Sequence, residues 1–204
     1  MSGQQEHNGL KGELIRACRK LLLEEGYRNC SLRKIAREAG VTATSVYLHF
    51  ESKDELIHAV MERSIDELNR RLEEAASRSG PATDRLEELA RAYVRYALEN
   101  SREYQVIYLV SSDEMTRYPR EKFRRARRGY EIVAEVIREG VATGGLEEPH
   151  PVLAAYTLWA QLHGVMAVVL SRRLDSRINQ ELFIEQALDH ILQGYRVRAV
   201  PGTE

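Results

Sequence analysis

Residues Ser31–Leu56 read SLRKIAREAGVTATSVYLHFESKDEL, and the spacing within them decides the fold. Leu32, Ile35, Ala36 and Ala39 recur at intervals of three and four, which places them on one face of a helix. Ser31 stands just before it, where a hydroxyl accepts a first-turn amide. Gly40 stands where the helix must stop, since glycine takes a left-handed backbone at little cost. Val41 plugs the corner, and Thr42 is a second N-cap, opening a helix that continues through His49. Ser52-x-x-Glu55 is a capping box for a third helix. Helix, glycine turn and helix make the helix-turn-helix plan, whose second helix enters the DNA major groove.

The side chains suit that plan. Val46 and Phe50 point inward, which leaves Ala43, Thr44 and Tyr47 on the outer face. Small and hydroxylated residues at a helix start approach base edges closely, and an alanine or threonine methyl packs on a thymine methyl. Tyr47, His49 and Lys53 are placed to donate to phosphate oxygens. Lys53 also lies at a helix N-terminus, where free amides and the dipole favour an anion. Arg33, early in the preceding helix, is within reach of a base or a phosphate. A glycine turn between helices is also an ordinary structural corner; the run of hydroxyls with Tyr47, His49, the capping box and Lys53 favours DNA.

The segment IAREAGVTATSVYLHFESKDEL resembles the TetR family of bacterial transcriptional regulators. The shared pattern, G-V-x-x-x-x-x-Y-x-x-F-x-S-K-x-x-L, covers turn, core, phosphate contacts and cap together. The resemblance implies operator contact for Arg33, Thr42, Ala43, Thr44, Tyr47, His49 and Lys53. Thr42 stands where that family more often has serine, and both cap.

With 204 residues, the chain can form one large or two small domains around a substantial core. A net charge of −1 argues against a nonspecific nucleic-acid coat protein. Between Arg28 and Lys53 the balance is locally positive: Arg28, Arg33, Lys34, Arg37 and Lys53 face Glu38 and Glu51. The opening MSGQQEHN carries no apolar run, so no signal peptide is expected, and a cytoplasmic protein fits. Two cysteines, Cys18 and Cys30, are expected to be small buried side chains rather than a disulfide or a zinc site.

A helix is predicted from about Leu10 to Glu25, with Leu10, Leu14, Ile15, Cys18, Leu21 and Leu22 as its buried stripe and Gly26 as its end. A long helix is predicted over Lys53–Ser77, a rod joining the DNA unit to the C-terminal helices. Gly80, Pro81 and Thr83 punctuate a break, with Thr83 as a cap. Further helices are predicted near Asp84–Asn100, Glu103–Ser111, Pro119–Thr143, Pro151–Arg172 and Asn179–Arg196. Pro119 and Pro151 suit first-turn positions, Gly144-Gly145 a stop and Asn179 a cap. The expected architecture is all-α, about nine helices. Residues 1–56 form a helix-turn-helix DNA-binding domain and residues 57–204 a helical domain for effector binding and dimerisation.

Val152–Leu170 contains no Asp, Glu, Lys or Arg. Such a length invites a membrane-spanning reading, but Thr157, Gln161, His163 and Gly164 weaken it. A helix apolar nearly all round is otherwise buried, here with a partner subunit covering part of it. The helices near 151–172 and 179–196 are therefore expected to form an isologous four-helix dimer interface, with no membrane involved. Within LWAQLHGVMAVVL, the trio Trp159, His163 and Gly164 resembles the C-terminal domain of a TetR subgroup named for those residues. That resemblance implies a ligand-binding and dimerising domain.

Aromatic walls with a few polar handles characterise small-molecule cavities. Tyr93, Tyr96, Tyr104, Tyr108, Trp159, His163 and Met166, with Tyr156, are the candidates to line one for a hydrophobic or aromatic effector. Core filling is the competing role for several of them. The basic run Arg120, Lys122, Arg124, Arg125, Arg127 and Arg128 reads as a solvated helix face opposite Phe123, Ala126, Tyr130, Val133 and Ile137. There is no catalytic, metal or cofactor motif, so neither an enzyme nor a cofactor is expected. The sequence therefore reads as a homodimeric repressor released from a pseudo-palindromic operator by an effector. The rivals are an activator or architectural DNA binder without an effector, and a helical enzyme or adaptor using the head for protein contact.

Overall fold

The computed structural model describes residues 2–105, 108 and 123–196. Among them are nine helices: α1 (Ser2–Asn29), α2 (Leu32–Glu38), α3 (Ala43–Tyr47), α4 (Lys53–Ala76), α5 (Ala82–Glu99), α6 (Ser101–Tyr104), α7 (Phe123–Ala142), α8 (Pro151–Leu170) and α9 (Gln180–Gln193). No strand occurs among the described residues, and the one β-type pairing is an isolated bridge between Leu146 and Arg196. The chain is all-helical, as its periodicities predict. It divides into two compact units. Residues 2–66 with 102–105 and 108 form a head, and residues 67–101 with 123–196 form a body.

The head core gathers Leu14, Ile15, Cys18, Leu21 and Leu22 of α1, Ile35 and Ala36 of α2, Val46 of α3, Phe50, and Leu56, Ile57 and Val60 of α4. Helix α1 starts well before Leu10, because periodicity marks a buried face and not a helix end. Its helical geometry breaks at Gly26, at φ 78° and ψ 172°, where the sequence predicts the stop. Cys18 and Cys30 are free and buried. A shared hydrogen bond and burial push the Cys18 thiol upward, so it stays protonated.

In the body, α8 packs against α5, α7 and α9. The buried side chains of α7 are Ile132, Ala134, Val136 and Ile137; of the predicted stripe only Ile137 is among them, while Ala126, Tyr130 and Val133 are half-buried and the Phe123 side chain lies outside the described ones. Arg124, Arg125, Arg127 and Arg128 are solvated, while Arg120 and Lys122 lie outside the described residues. Gly140 sits at a close approach: a Cβ there would come within 2.4 Å of Leu146 and 3.1 Å of Ala82. Asn179 caps α9 through Leu182 N–H at 2.9 Å. Thr83 is not the cap of α5; Pro81 holds that position and Thr83 Oγ1 instead contacts Asp84. Beyond α6 only Gln105 and Tyr108 of the predicted helix to Ser111 are described; the rest of it, like Pro119, lies outside the described residues.

A single chain buries one side of α8 and leaves the other open, as expected of a helix that one chain covers only in part. Ala154, Ala155, Leu158, Leu162, Met166 and Val169 are buried. Val152 and Leu153 on the opposite side are 56% and 60% exposed. Among the described residues α8 is the one helix long and apolar enough to cross a membrane, and a third of its apolar window is buried.

Candidate nucleic-acid interface

Local capping sets the corner. Ser31 Oγ accepts from Lys34 N–H at 3.3 Å. At the far end of α2, Gly40 turns left-handed at φ 70°, and Val41 N–H returns to the Ala36 carbonyl at 2.9 Å. Thr42 Oγ1 accepts from Ser45 N–H at 3.2 Å, and the two hydroxyls lie 2.8 Å apart. Val46 and Phe50 anchor α3 from beneath, both fully buried. With that underside fixed, the top faces solvent. Tyr47 is 60% and Leu48 74% exposed. Thr42 and Thr44 are exposed, Ala43 and His49 half-buried, and Arg33 exposed on α2.

The start of α4 completes the unit. Ser52 Oγ accepts from Glu55 N–H at 3.1 Å. The reciprocal contact runs from Glu51 N–H to Glu55 Oε2 at 2.7 Å, one residue ahead of the usual capping-box partner. Lys53 is half-buried and its ammonium is turned inward. Its ammonium donates to the Tyr27 carbonyl at 3.2 Å and lies 3.6 Å above the Tyr27 ring. Tyr27 O–H in turn donates to Asp54 at 2.8 Å. Lys53 thus pins the end of α1 to the start of α4, a positioning role that the sequence does not announce. Leu48 also goes unremarked in the sequence. Its exposure follows from a turn of helix in which Val46 and Phe50 are the inward pair.

The effector candidates fall in two places. Tyr104 and Tyr108 belong to the head, with ring centroids 4.9 Å apart. Tyr93, Tyr96, Trp159, His163 and Met166 belong to the body. Tyr96 and Met166 are sealed in the core. The others join an aromatic column. Tyr156 stacks on Tyr130 at 3.9 Å, Trp159 meets Tyr130 edge-on at 5.8 Å, and His163 stacks on Trp159 at 5.0 Å. The Tyr93 hydroxyl lies 3.5 Å from His163 Nδ1. Burial lowers the His163 imidazole below its ordinary value and pushes the Tyr130 phenol up to about 12. A recess of about 250 Å³ opens at the Tyr130–Tyr156 end, lined also by Arg127, Arg138, Glu135 and Val152. Tyr130 is the column member that sequence reasoning assigns only to packing. No cluster of metal-binding side chains occurs among the described residues.

Comparison with known proteins agrees with this arrangement. Residues 14–60 match the family described as bacterial regulatory proteins, tetR family. Residues 86–191 match the tetracyclin repressor-like C-terminal domain, a span that includes Trp159, His163 and Gly164. The transcriptional repressor KstR2 of Mycobacterium tuberculosis is 27% identical over 139 residues, 67% of this chain and 69% of its own length. The transcriptional activator FasR of Mycolicibacterium smegmatis is 30% identical over 98 residues, 48% of this chain and 45% of its own. The crystal structure of the regulator FadR from Bacillus subtilis, in complex with stearoyl-CoA, superposes with a TM-score of 0.72 at 20% identity, covering 89% of this chain and 97% of that one. With a capped helix-turn-helix head, an all-helical body and matches that span both, this chain belongs to the TetR family of bacterial transcriptional regulators.

Proposed function

We propose that the protein is a homodimeric cytoplasmic repressor whose α3 helices read a pseudo-palindromic operator and are released by a hydrophobic effector. The observation that carries the DNA contact is the outward side of α3, with Tyr47 and Leu48 exposed above a buried Val46–Phe50 anchor. Ala43 and Thr44 are assigned to base edges; Arg33, Thr42, Tyr47, His49 and the first turn of α4 at Lys53 are assigned to the sugar–phosphate backbone. Two heads on a palindrome bind half-sites one turn apart, roughly 34–36 Å.

Dimerisation is assigned to α8 and α9. Val152 and Leu153 on α8 and Leu182 on α9, the last 62% exposed, leave apolar surface that a second copy covers by symmetry. The domain roles are then these: residues 1–56 bind DNA, and residues 57–204 bind effector and partner subunit. Effector binding is assigned to the column around Tyr93, Trp159 and His163. The FadR structure holds stearoyl-CoA, so long-chain acyl thioesters are the first class to test. The effector must bind the free and operator-bound states differently, and α4 carries the difference to the head.

The test is selection of bound fragments from the host genome, followed by titration of the recovered site with and without stearoyl-CoA. The reading expects an inverted repeat with one-turn half-site spacing and weaker binding in the presence of the thioester. Fragments without dyad symmetry would refute the dimeric head arrangement. Equal affinity with and without the thioester would refute that effector class. FasR, an activator by name, supplies the second reading: the thioester then strengthens operator binding, and the same titration separates the two signs.

A further inference from the structure

In the body, the C-terminal half of α4, Arg78 just beyond its end, and the facing part of α5 line an open recess of about 230 Å³. Four guanidinium groups line it, from Arg70, Arg71, Arg78 and Arg95, against one carboxylate, Glu74. Its apolar lining is Ala75 and Ala92, both buried, whose short side chains leave the hollow that the arginines ring.

The arginines are held in place. Arg71 reaches Glu67 at 2.8 Å and Glu99 at 2.5 Å, with its guanidinium carbon 5.5 Å from the Tyr96 ring centroid. Arg78 and Arg95 share Glu88, at 2.8 and 3.5 Å. Arg70 pairs with Glu67 and Glu74. The four carboxylates balance the four cations in number, but three of them, Glu67, Glu88 and Glu99, stand outside the lining. The hollow itself therefore presents positive groups.

An ion pair as exposed as Arg70–Glu74, at 54% and 63%, is worth about 0–1 kcal/mol, so exchanging that carboxylate for a ligand oxyanion costs little. Guanidinium is the side chain whose fork matches phosphate in bidentate geometry. A hollow of about 230 Å³ is below the roughly 300–1,000 Å³ of a pocket for a whole small ligand. It suits an anionic group rather than an entire effector. We propose that this arginine recess binds a diphosphate, either free or as the diphosphate of coenzyme A. Only the coenzyme A form rests on the acyl thioester reading; the diphosphate site does not.

The test is calorimetric titration of the full chain at low salt with inorganic pyrophosphate and, separately, with unacylated coenzyme A. At least one probe is expected to bind saturably. The Arg70→Gln/Arg95→Gln variant is expected to weaken it about tenfold or more, the loss of hydrogen bonds to a charged group. Arg70→Lys/Arg95→Lys keeps the charge without the fork and is expected to fall between. Arg177→Gln, a highly exposed arginine outside the lining, leaves affinity unchanged. Binding of both probes assigns the diphosphate alone; binding of coenzyme A only assigns the larger headgroup. A thermal melt confirms that each variant folds, and Arg78→Gln serves in place of any that does not. Binding of neither probe, or equal binding by the folded glutamine variants, overturns the proposal. Because no acyl chain is used, that failure leaves the operator and effector readings standing.

Discussion

The outer side of α3 and the aromatic column of the body are both candidate binding surfaces, built in opposite ways. The head presents a few side chains from a short capped helix that is anchored by the buried Val46 and Phe50. The column takes Tyr93 from α5, Tyr130 from α7, and Tyr156, Trp159 and His163 from α8. A surface for a rigid polyanionic duplex is defined by where a helix is aimed. A surface for a small apolar molecule is defined by how several helices pack.

The strongest way to break this comparison is to attack what aims α3. Phe50→Ala removes a buried aromatic from the head core and is expected to cost about 3–5 kcal/mol of stability. Denaturant unfolding would measure it, and operator binding should fail with the fold. Tyr47→Ala removes an exposed ring instead. It is expected to weaken binding to the operator and to unrelated DNA alike, by about 1.5–3 kcal/mol, the worth of a hydrogen bond to a charged group, while leaving the melting temperature unchanged. Thr42→Ala deletes the cap of α3 and should cost about 1 kcal/mol of stability, seen as a lower denaturation midpoint.

The smallest expected effect sharpens the body side. Burial lowers the His163 pKa, so near pH 6 the folded chain binds fewer protons than the unfolded one. The stability contribution is complete above the unfolded value of about 6.5 and falls as pH drops through it. Melting temperatures taken from pH 7.5 to 5.5 should therefore decline, and His163→Gln should flatten that decline. An unchanged slope in the variant would place the acid sensitivity elsewhere.

These differences explain what could be read from the sequence. Caps, the positive-φ glycine and the inward Val46–Phe50 pair all act within the 26 residues Ser31–Leu56, so one local pattern determines them. Asn179 was legible for the same reason. Thr83 was not, because Pro81 can occupy the N-cap position without a side-chain bond. The column was half legible. Trp159 and His163 share a helix face four residues apart, but Tyr130 joins them only through packing of α7 on α8. Tyr104 resembled its partners in type and yet belongs to the head. Periodicity showed that α8 is apolar nearly all round, but not which side this chain covers itself.

The most direct measurement is operator affinity by fluorescence anisotropy for the wild type and the Ala43→Gln/Thr44→Gln variant, whose longer side chains block the close approach to base edges, on the genome-selected site and on a scrambled duplex. The account predicts that the variant keeps its melting temperature and dimer mass, and loses most of the preference for the selected site. A variant that discriminates the two duplexes as well as the wild type would contradict the assignment of α3 as the reading helix.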